Sequence, residues 1–229
     1  MDSKALKIIA VVTMTIDHIG QYLVPEETVV YLIMRAIGRI AFPLFAFFIA
    51  EGFRHTRDKK AYFVRLMDFA AMFEAVIIAY YLFGGENLVF KVNILWTLAA
   101  GLLYLILLDD RKIWVKALSL PLIVLVELVH LPYGAYGIAM IIIFGFVKNN
   151  WFRLGLVSLL TLAVTAFPLY ELLGLTEYAR YAGYSQWFSL VALAFVFLYN
   201  GRKGVFNKYF FYFYYPLHLI VIYALSLVL

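Results

Sequence analysis

Apolar runs of roughly 17 to 25 residues, parted by a few polar or charged ones, recur along the whole 229-residue chain. A run of that length covers about 30 Å of hydrocarbon when helical. Run length and polar punctuation predict nine helices, at 5–24, 29–53, 61–83, 92–108, 113–131, 133–148, 151–173, 185–200 and 208–229. The fold class expected is all-α: a polytopic transmembrane helix bundle of about nine spans, making one integral-membrane domain over residues 1–229. Composition agrees, with 66% hydrophobic and 14% charged residues, against about half and a quarter in soluble domains. The first run carries Asp17 and His18 and lacks a small-residue cleavage site, so it reads as a retained helix. No internal repeat is visible, which weighs against a transporter built from two related halves.

The net charge of +5 is distributed as a topology signal and not as a nucleic-acid-binding stripe. "RHTRDKK", "DDRK", "KNNWFR" and "NGRKGVFNK" fill alternate loops, and Lys4 precedes the first helix; the other loops hold only Lys91 and Arg180. That alternation predicts a cytoplasmic (inner) membrane protein with its amino terminus inside and its carboxyl terminus outside. With no cysteine in the chain, disulfides, thiolate metal sites and cysteine nucleophiles are excluded.

Ionisable residues at bilayer depth cost roughly 2.5–3.5 kcal/mol on insertion scales and normally face the bundle interior. The first three expected helices carry most of them: Lys7, Asp17 and His18, then Arg35 and Arg39, then Arg65, Asp68 and Glu74. Lys7 and His18 are eleven residues apart, close to three full turns, and share a face. Asp17 is rotated by about 100° from its neighbour, so a direct Asp17–His18 relay is disfavoured and an arginine on the next helix is its natural partner. Arg35 and Arg39 stack one turn apart and call for an anion. Pro43 leaves the Arg39 carbonyl without its helical donor, a place for a kink. A structural ion pair and a helix-to-helix hydrogen bond would account for each feature singly. An imidazole, two arginines and a proline break at similar depth point instead to a site that moves protons.

Other features are less specific. Glu51 and His55 lie one turn apart but no third ligand or His-Glu-x-x-His pattern is present, so no metal is expected. In "YFFYFYYPLHL", Tyr209 and Tyr212 fit an interfacial aromatic belt. Tyr214 and Tyr215 precede His218 by a turn, and His218 is placed to line the same cavity as His18. Asn93 and Thr97 form a polar pair on one helix face.

The strings "LKIIAVVTMTIDHI", "IGRIAFPLFAFFIAEGFRHTR", "NILWTL", "YGAYG", "YNGRKG" and "YFYYPLHL" occur in order from residue 6 to about 219. Together they resemble the TraX family of bacterial membrane proteins. TraX proteins are associated with conjugative pili, where the founding member N-acetylates the pilin subunit. They are also similar to multi-pass acyltransferases whose first helix carries an Arg, ten residues, then an essential His. Lys7 and His18 keep that spacing, with an ammonium in place of the guanidinium that would bind an anion bidentately.

The resemblance implies transfer of an acetyl group from acetyl-CoA to an amine or hydroxyl of a pilin-like peptide or surface polysaccharide. His18 would be general base, Arg35 or Arg39 would stabilise the oxyanion, and Asp17 would hold the arginines. The anionic donor would dock on Arg54, Arg57, Lys59 and Lys60, then Arg202 and Lys203, with Lys7 below the His. Asn93, Tyr215 and His218 are the candidates for acceptor contacts. The expected partners are acetyl-CoA, the acceptor and the lipid bilayer, with no nucleic acid. A proton-coupled transporter and a non-catalytic assembly factor for a surface polymer are the alternatives.

Overall fold

The computed structural model describes residues 1–84, 92–166, 184–204 and 210–226, with the backbone alone at 79–84, 166, 184 and 211–212. Lys91, Arg180 and Tyr209 lie outside these residues, as does the Tyr212 side chain. Every described element is helical: α1 (Ser3–Leu23), α2 (Val29–Gly38), α3 (Ala41–His55), α4 (Lys59–Gly84), α5 (Ile94–Asp109), α6 (Ile113–Ala117), α7 (Ser119–Leu128), α8 (Gly134–Phe146), α9 (Asn150–Ala166), a 3-10 helix (Tyr184–Leu190), α10 (Val191–Phe197) and α11 (Phe210–Ser226). They form two compact units, one of residues 1–45 and 148–229, the other of residues 46–147.

In the first unit α1 packs on α2 and α11, and α9 packs with α10 and the 3-10 helix. Asp2 caps α1 by accepting from the Ala5 amide at 2.9 Å, and Thr28 caps α2 by accepting from the Tyr31 amide at 3.1 Å. Each cap satisfies one of the amides a helix start leaves open. The amino terminus is tied down by three backbone bonds: Met1 N donates to Leu198 O, Ser3 N to Arg202 O, and Asn200 N to Met1 O. Helix α2 stops at Gly38, and the chain turns through Arg39 and Ile40 before α3 begins. Pro43 explains the position of the break, because it has no N–H for the Arg39 carbonyl.

In the second unit α5 is central, packing on α4, α6, α7 and α8. Two glycines set the approach of α5 to α8. A Cβ on Gly101 would overlap Ile141 Cδ1, and one on Gly145 would overlap a Leu105 methyl. Gly101 and Leu105 are one turn apart, as are Ile141 and Gly145, so each helix offers a gap where the other offers a branched side chain. The matched order shows the two helices running in the same direction. Both branched residues are fully buried. The turn between α7 and α8 contains His130 and Tyr133 at φ 54° and 63°, left-handed values uncommon for residues with a Cβ. Glu127 accepts from the Ala135 amide at 2.6 Å, placing an anion at the start of α8 where the helix dipole favours one.

The expected nine spans are not found. Among the described residues only Val29–His55, 27 residues long, is long and apolar enough by length and composition to cross a membrane. The remaining apolar helices, such as Ile94–Asp109, Gly134–Phe146 and Asn150–Thr165, have 10–17 residues. Two helices are long enough but too polar, and others are shorter than their runs. Lys7, Asp17, His18 and Gln21 dilute α1, and Arg65, Asp68 and Glu74 dilute α4, though both helices are continuous. The 113–131 run divides at Leu118, and 185–200 lies largely in a 3-10 helix and a short α10. The multi-pass inner-membrane placement, with the amino terminus inside and the carboxyl terminus outside, rested on charge alternation across those nine spans and is withdrawn with them. On α2, Val29, Val30, Leu32 and Ile33 are each more than half exposed, an apolar surface of the kind that marks a lipid or protein contact.

Gly101→Ala should destabilise the purified chain by about 1–3 kcal/mol through overpacking. Adding Ile141→Val removes the overlapped Cδ1 and should recover part of that loss in denaturant unfolding.

Candidate active site

Helix α1 presents Asp17 and His18 to different neighbours. The Asp17 Oδ2 pairs with Arg35 Nη1 at 2.9 Å, the side chains being 19% and 11% exposed. The same guanidinium nitrogen donates to Gln21 Oε1 at 3.0 Å. Asp17 and Gln21 are one turn apart on α1, so a single helix face grips the arginine. That i, i+4 spacing was the sequence signal for Gln21, and the sequence reading missed it. The carboxylate lies directly over Gly38, where a Cβ would collide with Asp17 Oδ1, Cβ and Cγ. Arg39, buried at 8% exposure, sits at the helix break within electrostatic reach of Asp17.

His18 turns instead to α11. Its Nδ1 lies 2.8 Å from Nε2 of His218, and Nδ1 of His218 lies 2.8 Å from the Tyr214 carbonyl oxygen. Three residues before His18, the Thr15 hydroxyl meets the Tyr214 hydroxyl at 2.7 Å. The pairs 15:214 and 18:218 advance together, so α1 and α11 run in the same direction at this contact. Phe210, Tyr214 and His218 stack along α11, with successive ring centroids 5.0 and 5.1 Å apart. The His18 ring lies edge to edge with His218, centroids 5.0 Å apart and 21° between planes, as their N···N contact requires. Tyr215 flanks it, 5.6 Å from His218.

These contacts fix where the protons are. A backbone carbonyl can only accept, so Nδ1 of His218 carries a hydrogen. In the neutral ring Nε2 is then the acceptor, and Nδ1 of His18 must donate to it. Neutral His18 is therefore left with a bare Nε2, the nitrogen that can take a proton. A second proton on His18 keeps the same Nδ1–H···Nε2 bond, so protonation leaves the pair intact.

The remaining expected site residues divide between the two units. In the first, Lys7 is partly buried on α1 and feels the charge of Lys203. Arg202 and Lys203 are exposed, and the Arg202 carbonyl holds the Ser3 amide. In the second, Arg57 and Lys60 are exposed. Lys59 pairs with Asp109 at 2.5 Å. Arg54 pairs with Glu51 and donates to the carbonyls of Phe144 and Gly145, which leaves its guanidinium committed to its own fold. Glu51 also contacts His55 at 3.3 Å. Asn93 lies in the second unit and caps α5, its Oδ1 accepting from the Leu95 amide at 3.0 Å while Nδ2 donates to Ala70 O and Glu74. Thr97 donates to the Pro132 carbonyl at 2.6 Å.

Two hydrogen-bonded imidazoles between α1 and α11, and a guanidinium–carboxylate pair between α1 and α2, are groups able to move a proton beside developing negative charge. The sequence profile described as "TraX protein" matches residues 2–226, and the chain belongs to the TraX family. Among curated proteins the chain is 34% identical over 123 residues to "Probable fimbrial assembly protein FimC, serogroup H1" of Dichelobacter nodosus, covering 51% of this chain and 48% of that one. It is 60% identical over 48 residues to "Uncharacterized protein RP591" of Rickettsia prowazekii (strain Madrid E), covering 21% of this chain and 18% of that one. The matched regions thus span about half or less of these relatives' lengths. No solved structure matches the chain.

Removing one partner of a largely buried ion pair strands the other, at a cost of about 3–5 kcal/mol. Asp17→Asn and Gly38→Ala should each lower the unfolding free energy on that scale. Because both act on one contact, the double variant should lose clearly less than the sum.

Proposed function

We propose that this chain is an acyltransferase that moves an acetyl group from acetyl-CoA to an amine or hydroxyl of a pilin-like peptide or surface polymer. The observation that carries the reading is the bare Nε2 of His18, set by the chain from the Tyr214 carbonyl through His218. Nε2 takes the proton from the acceptor N–H or O–H as that atom attacks the thioester carbonyl carbon. The carbonyl electron pair moves onto oxygen, and the resulting oxyanion is stabilised by a guanidinium. Collapse of the oxyanion breaks the C–S bond, and the leaving sulfur takes the proton back from Nε2–H. His218 orients the base and accepts its Nδ1–H throughout, the part a buried carboxylate plays in hydrolase triads. His218 is neutral, so its assistance is milder, and its place is with the base and not with the acceptor.

Arg35 or Arg39 supplies that guanidinium, Arg35 being held in place by Asp17 and Gln21. For the anionic end of acetyl-CoA, Lys7, Arg202 and Lys203 share a unit with His18. Lys7 lies about 16 Å along the same helix from it, at 1.5 Å per residue. Arg54 and Lys59, each tied to a carboxylate, are the weaker candidates. The fimbrial wording of the Dichelobacter relative's description supports a pilin-like acceptor. It equally supports the reading as a non-catalytic assembly factor. A proton wire of two imidazoles would also serve a proton-coupled transporter.

His18→Ala should cut acetyl-CoA-dependent labelling of the acceptor by about 10²–10⁴-fold, the range of general-base catalysis, in a chain that keeps its helicity. His218→Ala should cost less, and His218→Gln, which restores an acceptor for Nδ1–H, should recover part of it. Undiminished transfer by His18→Ala would leave the assembly role, and substrate flux without acetyl-CoA would favour the transporter. Reversing Arg202 and Lys203 to Glu should raise the KM for acetyl-CoA, with a smaller effect at high salt, while Arg54→Gln should leave it near the wild-type value.

A further inference from the structure

Tyr214 meets the imidazole pair and the helix opposite in three ways. Its carbonyl oxygen accepts from Nδ1 of His218 at 2.8 Å. Its ring lies on the His218 ring, with centroids 5.1 Å apart and 9° between planes. Its hydroxyl is 2.7 Å from the Thr15 hydroxyl on α1. A further group fixes the direction of that last bond. Thr15 Oγ1 also lies 2.8 Å from the Val11 carbonyl oxygen, which can only accept. A threonine hydroxyl has one hydrogen, so Thr15 donates to Val11 and the Tyr214 phenol donates to Thr15.

The residue whose backbone sets the tautomer of His218 is thus anchored, through its own side chain, to the helix that carries His18. Thr15 and His18 are three residues apart on α1, and Tyr214 and His218 four apart on α11, so the two interhelical bonds lie about one turn from each other. One bond between two helices fixes a distance at a point. A second bond one turn away also fixes the register and the rotation of each helix. We propose that Thr15 and Tyr214 are positioning residues of the imidazole pair: their hydroxyl bond holds α1 and α11 where Nδ1 of His18 meets Nε2 of His218, and so keeps Nε2 of His18 bare. The inference rests on the reading of His18 as the base and adds two residues that act on it only through His218 and the helix register.

The test uses the full chain and two variants that each remove one end of the bond. Thr15→Val keeps the shape of the side chain and loses the acceptor, whereas Tyr214→Phe keeps the ring and the carbonyl and loses the donor. Each should lower kcat for acetyl transfer by about 10–10²-fold, the scale of a misplacement of about 1 Å, with the KM for acetyl-CoA unchanged. Thr15→Ser restores the hydroxyl and should return kcat to near the wild-type value. The double variant Thr15→Val/Tyr214→Phe should lose no more than either single one, since both remove one bond. A second readout needs no acyl transfer. The chain has four histidines, few enough for NMR of isotope-labelled histidine, with His18→Ala identifying the His18 signals. Wild-type His18 should show the neutral Nδ1–H tautomer, and Thr15→Val and Tyr214→Phe a mixture of the two tautomers. An unchanged tautomer in both variants, a loss in Thr15→Val that Thr15→Ser does not restore, or losses that add in the double variant would overturn the proposal. A wild-type chain that transfers nothing while its variants still show the tautomer change would sink the base reading and leave the positioning of the pair intact, so either can fail alone.

Discussion

Two consecutive residues on one helix, pointing about 100° apart, organise the first unit. Asp17 fastens α1 to α2 through Arg35, and His18 fastens α1 to α11 through His218. Either contact alone would be an ordinary interhelical bond. Placed one residue apart, they make α1 the shared wall of an ion pair and an imidazole pair. The carboxylate reaches its arginine only because Gly38 has no Cβ, and the imidazole is oriented only because Tyr214 O accepts from its partner. A glycine and a backbone carbonyl, neither reactive, thus govern the two reactive side chains.

The break after Gly38 serves the same arrangement. Arg35 and Arg39 stay one turn apart, the Arg39 amide donating to the Arg35 carbonyl at 3.2 Å. The turn at Arg39–Ile40, where Pro43 removes a donor, ends α2 just after them. Arg35 can then be neutralised by Asp17 while Arg39 occupies the C-cap position. In the second unit the same economy appears in Gly101 and Gly145, which let α5 and α8 approach closely enough to bury Ile141 and Leu105.

That every described element would be helical was legible from the apolar runs, and so was the family, from motifs spread over nearly the whole chain. Span number was not. Hydropathy reads how apolar a run is but not where hydrogen bonding stops, and α6–α7 and the 3-10 helix stop within runs that look continuous. The basic loops illustrate a second limit. "RHTRDKK" looks like four equivalent cations, yet Arg54 is spent on Glu51 and two carbonyls and Lys59 on Asp109, while Arg57 and Lys60 remain exposed. Asn93 likewise looks like a site residue and is a helix cap.

By itself, the sequence determined that Asp17 and His18 would diverge, since helical rotation between neighbours is a local property. It marked Arg39 too as a place for a kink, since a proline's missing amide acts four residues back. Only the tertiary structure decided that Nδ1 of His18 would meet Nε2 of His218 at hydrogen-bond distance. That outcome depends on which helices meet and in what register, and residues 200 positions apart leave no local trace of their geometry.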